Sequence, residues 1–164
     1  MKLYWILLLS LLIAGCGKTN ETTVVNASGK KPAPGFILTD VITGKPSGTA
    51  DFKGKTVLLV FWRTGCPICV EEIPDIKAIQ EKYKDKDFTL LSISVDKKTE
   101  TLKKFISENG ITYAVLSDAD LKTANLYDVV GTPGFFVIDK DGFVLSERQE
   151  DIDSARKKLE SLLK

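Results

Sequence analysis

The amino-acid sequence predicts an α/β domain in which helices flank both faces of a central mixed sheet, preceded by an N-terminal β-hairpin. Residues 56–62 form an unbroken apolar run, which is typical of a strand buried on both faces. Further along, strand-like apolar runs alternate with stretches whose apolar residues recur at helical spacing. Near the end, the turn at residues 139–142 predicts a hairpin, so the sheet should contain antiparallel as well as parallel strands.

The domain is expected to begin with the hairpin and the buried strand. Short runs at residues 36–38 and 46–50 predict the two hairpin strands, with Thr43-Gly44-Lys45 as their turn. The strand at 56–62 leads into a predicted helix over 67–83, whose apolar residues keep one face.

The middle of the domain continues the alternation of strands and helices. Residues 88–95 predict a strand and residues 99–109 a helix, which Gly110 can close with a left-handed cap. A short strand at 113–116 and a short helix at 121–127 follow.

The last elements are predicted to be a hairpin and a closing helix. Residues 134–139 and 142–147 predict the two strands of the hairpin, and residues 152–163 predict an amphipathic helix. Within the earlier helix, Pro74 is expected to produce a kink, because proline lacks a backbone N–H.

The composition excludes several classes of function. The chain has 164 residues, which suits one domain, and a formal charge of +1 from 23 basic and 22 acidic residues. Such a balance argues against a nucleic-acid-binding protein. The absence of histidine excludes serine or cysteine hydrolases that use a histidine base and metal sites with histidine ligands. Chemistry must therefore come from thiols, carboxylates or hydroxyls.

The N-terminal segment is interpreted as a lipoprotein signal peptide covering residues 1–15. Lys2 precedes an apolar run that is too short to span a bilayer, and the run ends in Ala14-Gly15-Cys16. This ending resembles a bacterial lipobox, in which the cysteine becomes the lipidated N-terminus. The alternative is an ordinary signal peptide with a cysteine there by chance. Residues 16–33 are polar and predict a flexible tether, which leaves 34–164 as the folded domain.

Two further cysteines, Cys66 and Cys69, lie where the buried strand passes into a helix. A helix N-terminus stabilises a thiolate, which is the reactive form of cysteine. The spacing places both sulfurs on one face of the first turn, close enough to form a disulfide. Pro67 suits the first helical position. We therefore interpret Cys66 as the more exposed nucleophile and Cys69 as the buried resolving cysteine.

Two alternatives to a redox role are a structural disulfide and half of a zinc site. A disulfide across so short a loop would stabilise the fold by only about 2 kcal/mol. A zinc site needs four ligands, and the sequence offers neither a second cysteine pair nor a histidine. Neither alternative fits as well as a redox-active pair, and no metal is expected.

The segment 60–69, followed by Glu72-Ile73-Pro74, resembles the active-site segment of thioredoxin-like proteins. The most similar group is the extracytoplasmic TlpA/ResA-type thiol-disulfide oxidoreductases. The resemblance covers nearly all of residues 34–164 and includes Gly131-Thr132-Pro133 before a strand. It implies a thioredoxin-like fold.

The resemblance also implies roles for single residues. Pro133 would be a cis-proline facing the disulfide, and the Thr132 backbone would pair with a substrate strand; the alternative is a proline that merely begins a strand. Glu72 matches a glutamate common in this group and would take the proton of Cys69, unless it is an ordinary solvated glutamate.

Three more residues are expected around the substrate. Pro67 and Ile68, between the cysteines, are expected to contact substrate and to tune the redox potential. Trp62 is assigned to the substrate site as a groove wall, with a core position as the alternative. The chain also departs from the family pattern: Val60 replaces the buried aspartate of thioredoxins, and Gly65 replaces a tryptophan found in many relatives.

The resemblance implies an enzyme that reduces protein disulfides, for example in cytochrome c maturation. It would be exported, lipid-anchored and monomeric on the extracytoplasmic face of a bacterial membrane, with a membrane thiol-electron donor as partner. No nucleotide or flavin motif is present, so the redox-active disulfide itself is the expected redox group, without a cofactor.

Three other functions remain open from the sequence. One is a dithiol oxidase or isomerase, and another is a non-enzymatic docking lipoprotein. The third is a peroxidase of the peroxiredoxin type, whose motif would need Pro at 59 and Thr or Ser at 63, where this chain has Leu59 and Arg63.

Overall fold

The structure is a computed structural model that describes residues 29–145 and 151–164. The predicted signal segment 1–15, the lipidation site Cys16 and most of the tether lie outside the described residues, as does the end of the strand predicted at 142–147.

Six strands, five α-helices and one 3-10 turn make up the described fold. In chain order they are β1 (Ile37–Asp40), β2 (Pro46–Gly48), the 3-10 turn (Thr49–Phe52), β3 (Thr56–Trp62), α1 (Pro67–Glu71), α2 (Ile73–Tyr83), β4 (Phe88–Ser94), α3 (Thr99–Glu108), β5 (Val115–Ser117), α4 (Lys122–Leu126), β6 (Gly134–Ile138) and α5 (Ile152–Leu162).

The strands form one mixed sheet in the order β2-β1-β5-β4-β3-β6. Strands β3, β4 and β5 are parallel to one another, whereas β6 pairs antiparallel with β3, and β1 pairs antiparallel with both β5 and β2. All seven residues of β3 are buried, as their apolar run predicts. Because β3 lies between β4 and β6, its carboxyl end places the following loop between the end of β4 and the beginning of β6.

Helices cover both faces of the sheet, but unequally. One apolar cluster packs α2, α3 and α5 against the sheet through residues such as Ile76, Leu102 and Leu159. The cluster on the other face includes Ala124 of α4, together with loop residues such as Phe36 and Tyr127. The three long helices therefore cover the same face of the sheet as the cysteine-bearing helix α1.

The helix predicted over 67–83 is divided in two at Glu72. Pro74 occupies the first turn of α2, where its missing N–H costs little, so the predicted kink is realised as a break between helices. The predicted cap of α3 is also present, since Asn109 ends the helix and Gly110 follows with φ +55°.

The strand predicted at 142–147 is wrong for residues 142–145, the part that the structure describes. The turn itself closes, with Gly142 N–H donating to the Asp139 carbonyl at 2.9 Å. Beyond it, Val144 N–H donates to Lys31 and Leu145 N–H donates to Val137, so the pairing alternates between two neighbouring segments. Only isolated bridges result, and no continuous ladder forms.

None of the helices within 29–145 and 151–164 is long and apolar enough to cross a membrane.

Candidate active site

Cys66 caps the N-terminus of α1, four residues beyond the end of β3. Its backbone is extended, with φ −108° and ψ 104°, and its sulfur accepts a hydrogen bond from the Cys69 N–H at 3.3 Å. Pro67 takes the first helical position. This is the position in which unpaired N–H groups and the helix dipole favour a thiolate.

Cys66 and Cys69 form a disulfide, with their Cα atoms 5.2 Å apart. Both side chains are buried, but Cys66 is 6% exposed and Cys69 is 2% exposed. The order matches the sequence prediction, because the sulfur that precedes the helix is the one nearer to solvent. Of the two cysteines, Cys66 is thus the less buried.

The loop before β6 faces this disulfide. The Thr132–Pro133 peptide bond is cis, as the resemblance implies, and the Cys66 Sγ lies 3.5 Å from the Thr132 carbonyl oxygen. Pro133 is buried and Thr132 is half-buried. The structure thus brings the two sequence motifs, 66 residues apart in the chain, into contact at the sulfur.

Glu72 is half-buried between α1 and α2, and its carboxylate faces the beginning of α5. Burial raises the pKa of this carboxyl above its usual value, and the negative charges of Asp151, Asp75 and Asp153 add to the effect. A hydrogen bond from the Ile152 backbone partly opposes it. The Glu72 Oε2 atom is buried without a hydrogen-bond partner in the described structure. Such a carboxylate is disposed to accept a proton.

Trp62 is a core residue, which corrects its assignment as a substrate contact. Its side chain is 4% exposed, the indole N–H donates to the Ser92 hydroxyl, and the ring packs at 5.6 Å from the Phe105 ring. The last residue of a central strand points into one of the two faces of the sheet, and both are covered here. Trp62 therefore belongs to the core cluster that also contains Cys66 and Cys69.

The two residues that follow Cys66 are apolar and exposed. Pro67 and Ile68 are both exposed, with Ile68 at 58%, in keeping with their predicted contact with substrate. Val130 is 90% exposed and lies two residues before Thr132. Val130 stands directly before Gly131-Thr132-Pro133, which is a usable signal, but it is not among the predicted site residues.

Asp96, just beyond the end of β4, is a second residue that is not among the predicted site residues. Its carboxylate accepts hydrogen bonds from the Thr64 N–H at 2.9 Å and from the Thr64 hydroxyl at 2.8 Å. The signal was available, because the carboxyl ends of neighbouring parallel strands meet at one edge of the sheet.

In the described parts of the chain, no group of three or more histidine, cysteine or acidic side chains is placed to hold a metal ion. The redox chemistry that this geometry supports is thiol-disulfide exchange at the cysteine pair.

Comparison with known proteins agrees with this geometry. Residues 30–146 match the AhpC/TSA family profile. A thiol-disulfide oxidoreductase ResA from Bacillus thuringiensis is 34% identical over 134 residues, which cover 82% of this chain and 76% of the relative.

Two solved structures have the same fold. The thioredoxin domain of a thiol-disulfide oxidoreductase from Bacteroides vulgatus aligns with a TM-score of 0.75 at 28% identity, covering 82% of this chain and 97% of that one. A thiol:disulfide interchange protein from a Bacteroides species aligns with a TM-score of 0.72 at 30% identity, covering 82% and 89%.

Proposed function

The chain belongs to the AhpC/TSA family and, within it, to the ResA-type thiol-disulfide oxidoreductases, and we propose that it reduces protein disulfides outside the cytoplasm. One observation carries the proposal: the Cys66–Cys69 disulfide lies at a helix N-terminus and faces the Thr132 carbonyl. That arrangement offers an activated sulfur and an edge of backbone for a polypeptide to pair with.

The reaction begins with the reduced pair. The Cys66 thiolate attacks one sulfur of the substrate disulfide, the substrate S–S bond breaks, and its second sulfur leaves as a thiolate that takes a proton from water. A mixed disulfide now joins Cys66 to the substrate. The Cys69 thiol then loses its proton and attacks Cys66 Sγ, which releases the remaining substrate sulfur. The substrate gains two electrons, and Cys66–Cys69 becomes a disulfide.

Local electrostatics supports Cys66 as the sulfur that attacks first. The Cys69 N–H points at Cys66 Sγ, and the α1 N-terminus adds a partial positive charge, so the thiolate is stabilised at this sulfur. Cys69 is more buried, which restricts it to attacking the mixed disulfide from inside the protein.

Glu72 supplies the proton acceptor for the second step in this proposal. Its raised pKa favours taking up a proton, and its spacing of three residues from Cys69 is one at which side chains on a helical turn are neighbours. With no histidine in the chain, a carboxylate or water must perform this task.

Membrane attachment and recharging complete the proposal. The lipobox-like ending at Cys16 supports a lipid anchor on the extracytoplasmic face, and the polar tether supports freedom to reach protein substrates. A membrane thiol-electron donor would return the Cys66–Cys69 disulfide to the dithiol without a bound cofactor. The resemblance to TlpA/ResA-type proteins supports apocytochrome c thiols as one substrate class.

A peroxidase fits the site less well. Leu59 is fully buried in β3 and Arg63 is exposed, so neither supplies the proline or hydroxyl that a peroxiredoxin motif needs at these positions. A dithiol oxidase remains the main alternative, because the same pair can transfer electrons in either direction.

Equilibration with glutathione buffers distinguishes a reductase from a dithiol oxidase, because it gives the redox potential of the Cys66–Cys69 pair. Protein samples are quenched with acid, alkylated and weighed by mass spectrometry to give the reduced fraction. A reductase predicts a potential nearer to about −270 mV, as in thioredoxin, whereas about −120 mV is typical of a strong oxidant. A second assay follows reduction of insulin disulfides, with Cys66→Ser as the inactive control. A potential near that of the oxidant would overturn the reductase proposal.

A further inference from the structure

We propose that Asp96 is a positioning residue: its carboxylate fixes the loop before Cys66 and so holds the attacking sulfur at the helix N-terminus. The proposal rests on the proposed function in that Cys66 is taken as the attacking sulfur.

The contacts tie two separate segments together. Asp96 Oδ2 accepts from the Thr64 N–H at 2.9 Å and from the Ser94 hydroxyl at 2.8 Å, while Oδ1 accepts from the Thr64 hydroxyl at 2.8 Å. The Asp96 N–H also donates to the Ser94 hydroxyl oxygen at 3.1 Å. The Asp96 carboxylate is therefore oriented by Ser94 at the end of β4, and it binds both the N–H and the hydroxyl of Thr64.

Thr64 connects Asp96 with the loop that leads to Cys66. It lies in the middle of the loop 63–65, which runs from the end of β3 to Cys66. In that loop Gly65 has no side chain, and the Arg63 side chain is exposed to solvent. The Cys66 N–H donates to the Arg63 carbonyl at 3.2 Å, so the loop conformation is passed directly to the cysteine backbone.

The sulfur needs this precision. Cys66 Sγ lies between a donor, the Cys69 N–H at 3.3 Å, and an acceptor, the Thr132 carbonyl at 3.5 Å. Only the donor stabilises a thiolate, because a carbonyl oxygen repels negative charge. A loop that shifts the sulfur away from the Cys69 N–H thus weakens the reactive form, and hydrogen bonds lose strength steeply with misalignment.

Removing the negative charge of Asp96 and displacing the Cys66 sulfur should change the acidity of the Cys66 thiol in opposite directions. This difference makes the proposal testable. The negative charge of Asp96 by itself disfavours a thiolate nearby, so removing that charge alone would make Cys66 more acidic. Loss of positioning makes Cys66 less acidic. Thr64→Val removes one hydrogen bond without changing any charge, and Thr64→Ser restores the hydroxyl.

Asp40 provides a matched structural control. Its carboxylate likewise holds a turn, accepting from the N–H groups of Ile42 at 2.8 Å and Thr43 at 2.7 Å. It lies at the end of β1, which β5 and β4 separate from β3. Asp40→Ala is expected to weaken the fold in a similar manner without altering the cysteine chemistry.

The experiment measures the pH dependence of alkylation of Cys66 by iodoacetamide, in a Cys69→Ser background that leaves a single reactive thiol in the domain and replaces Cys16 by Ser. Thr64→Val, Thr64→Ser, Asp96→Ala and Asp40→Ala are compared, and urea unfolding gives the stability of each. In parallel, the glutathione equilibrium is measured for the same variants with both active-site cysteines intact.

We expect Thr64→Val and Asp96→Ala to move the alkylation midpoint to higher pH and to slow the reaction at neutral pH about three- to tenfold, as the loss of one good hydrogen bond can. Thr64→Ser should resemble the wild type, and Asp40→Ala should lose stability only. The glutathione equilibrium of Thr64→Val should shift in favour of the disulfide, because the reduced thiolate is less stabilised.

The proposal is overturned if Thr64→Val and Asp96→Ala lose stability yet keep the wild-type midpoint, as Asp40→Ala does. It is also overturned if Asp96→Ala lowers the midpoint while Thr64→Val changes nothing, since charge would then be the operative effect. If Asp96→Ala does not fold, Thr64→Val decides. A wild-type protein that fails to exchange disulfides removes the proposed function, but the alkylation midpoints still decide the role of Asp96.

Discussion

The sulfur of Cys66 and the carbonyl oxygen of Thr132 lie 3.5 Å apart. Both residues lie at the carboxyl end of β3: Cys66 on the loop that follows it, and Thr132 on the loop that precedes its antiparallel neighbour β6, whose Gly134 pairs with Phe61. Under the proposed function, a polypeptide that pairs with the Thr132 backbone would lie next to the sulfur of Cys66. Recognition through backbone groups depends little on the side chains of the substrate, so it would suit varied protein substrates.

Peptide disulfides that cannot pair should react more slowly. N-methylation of the peptide N–H next to the substrate cysteine removes the group that would donate to the Thr132 carbonyl. We expect a higher KM and a largely unchanged kcat, measured by stopped-flow tryptophan fluorescence against the unmethylated peptide. The reaction with dithiothreitol, which has no backbone, serves as the control. Equal KM values for both peptides would show that substrates do not pair at Thr132.

Gly65 leaves open space beside Cys66, and larger side chains should be accepted there. A Cβ at this position meets no atom within 4 Å, and its φ lies outside the left-handed region. Gly65→Ala should therefore stabilise the domain by about 0.4–1 kcal/mol through the unfolded state. Gly65→Trp should lower the KM for protein substrates by adding a stacking surface, with exchange of small thiols unchanged.

Gly48→Ala is the contrasting variant for this prediction. A Cβ at Gly48 would collide with the Phe36 carbonyl oxygen, so this substitution should destabilise the domain. Thermal unfolding of both alanine variants measures the difference. If Gly65→Ala is as destabilising as Gly48→Ala, the loop before Cys66 is more crowded than the structure shows.

Glu72→Gln should stabilise the domain at neutral pH. Because the pKa of Glu72 is raised above its ordinary 4.5, mainly by burial, its ionised form is disfavoured in the folded chain. The unfolded chain releases this proton first as pH rises, so stability falls between 4.5 and the raised folded pKa and stays lowered above it. The advantage of the Gln variant should thus be present at pH 7 and shrink below pH 4.5.

Urea unfolding at the two pH values measures this effect, with Glu71→Gln as the exposed control on the same helix. A second readout is the rate at which Cys69 resolves the mixed disulfide, measured as a function of pH. In Glu72→Gln, the part of this pH dependence that comes from a titrating carboxylate should disappear. A Gln variant equal to the wild type in stability and in the resolving rate would mean that Glu72 is an ordinary solvated side chain.

Trp62 and Ser92 should be coupled in stability. The indole N–H of Trp62 donates to the Ser92 hydroxyl, and both residues are nearly inaccessible to solvent. Trp62→Phe leaves the hydroxyl without its donor and Ser92→Ala leaves the indole N–H unpaired, so each should cost about 1–3 kcal/mol. The double variant should cost clearly less than the sum. Strict additivity in urea unfolding would contradict the hydrogen bond, and the glutathione equilibrium should stay close to that of the wild type.

Much of the fold could be predicted because the apolar pattern is strong where the strands are central. The seven-residue run of β3 gave its boundaries directly, since a strand with both faces covered is apolar throughout. The region after Gly142 could not be predicted in this way. There, Leu145 pairs with Val137 of β6, whereas Val144 pairs with Lys31, which lies in a segment whose composition resembles that of a linker.

The site was predictable to the extent that its chemistry follows from local sequence. The positions of Cys66 and Cys69 follow from a strand–helix junction, and proline at the first helical position supports it. Burial is decided by tertiary packing, which explains why the local sequence predicts a substrate contact for Trp62 although this residue lies in the core. The contact between Asp96 and Thr64, 32 residues apart, depends on the strand order and is not expressed in any short motif.

The central claim, that Cys66 attacks substrate disulfides and Cys69 resolves them, is tested most directly by trapping. The Cys69→Ser variant is incubated with an oxidised protein substrate, and the adduct is mapped by peptide mass spectrometry, with Cys66→Ser as the matched control. We predict a stable mixed disulfide on Cys66 in the first variant and none on Cys69 in the second. No adduct in Cys69→Ser, or equal trapping through Cys69 in Cys66→Ser, would contradict the account.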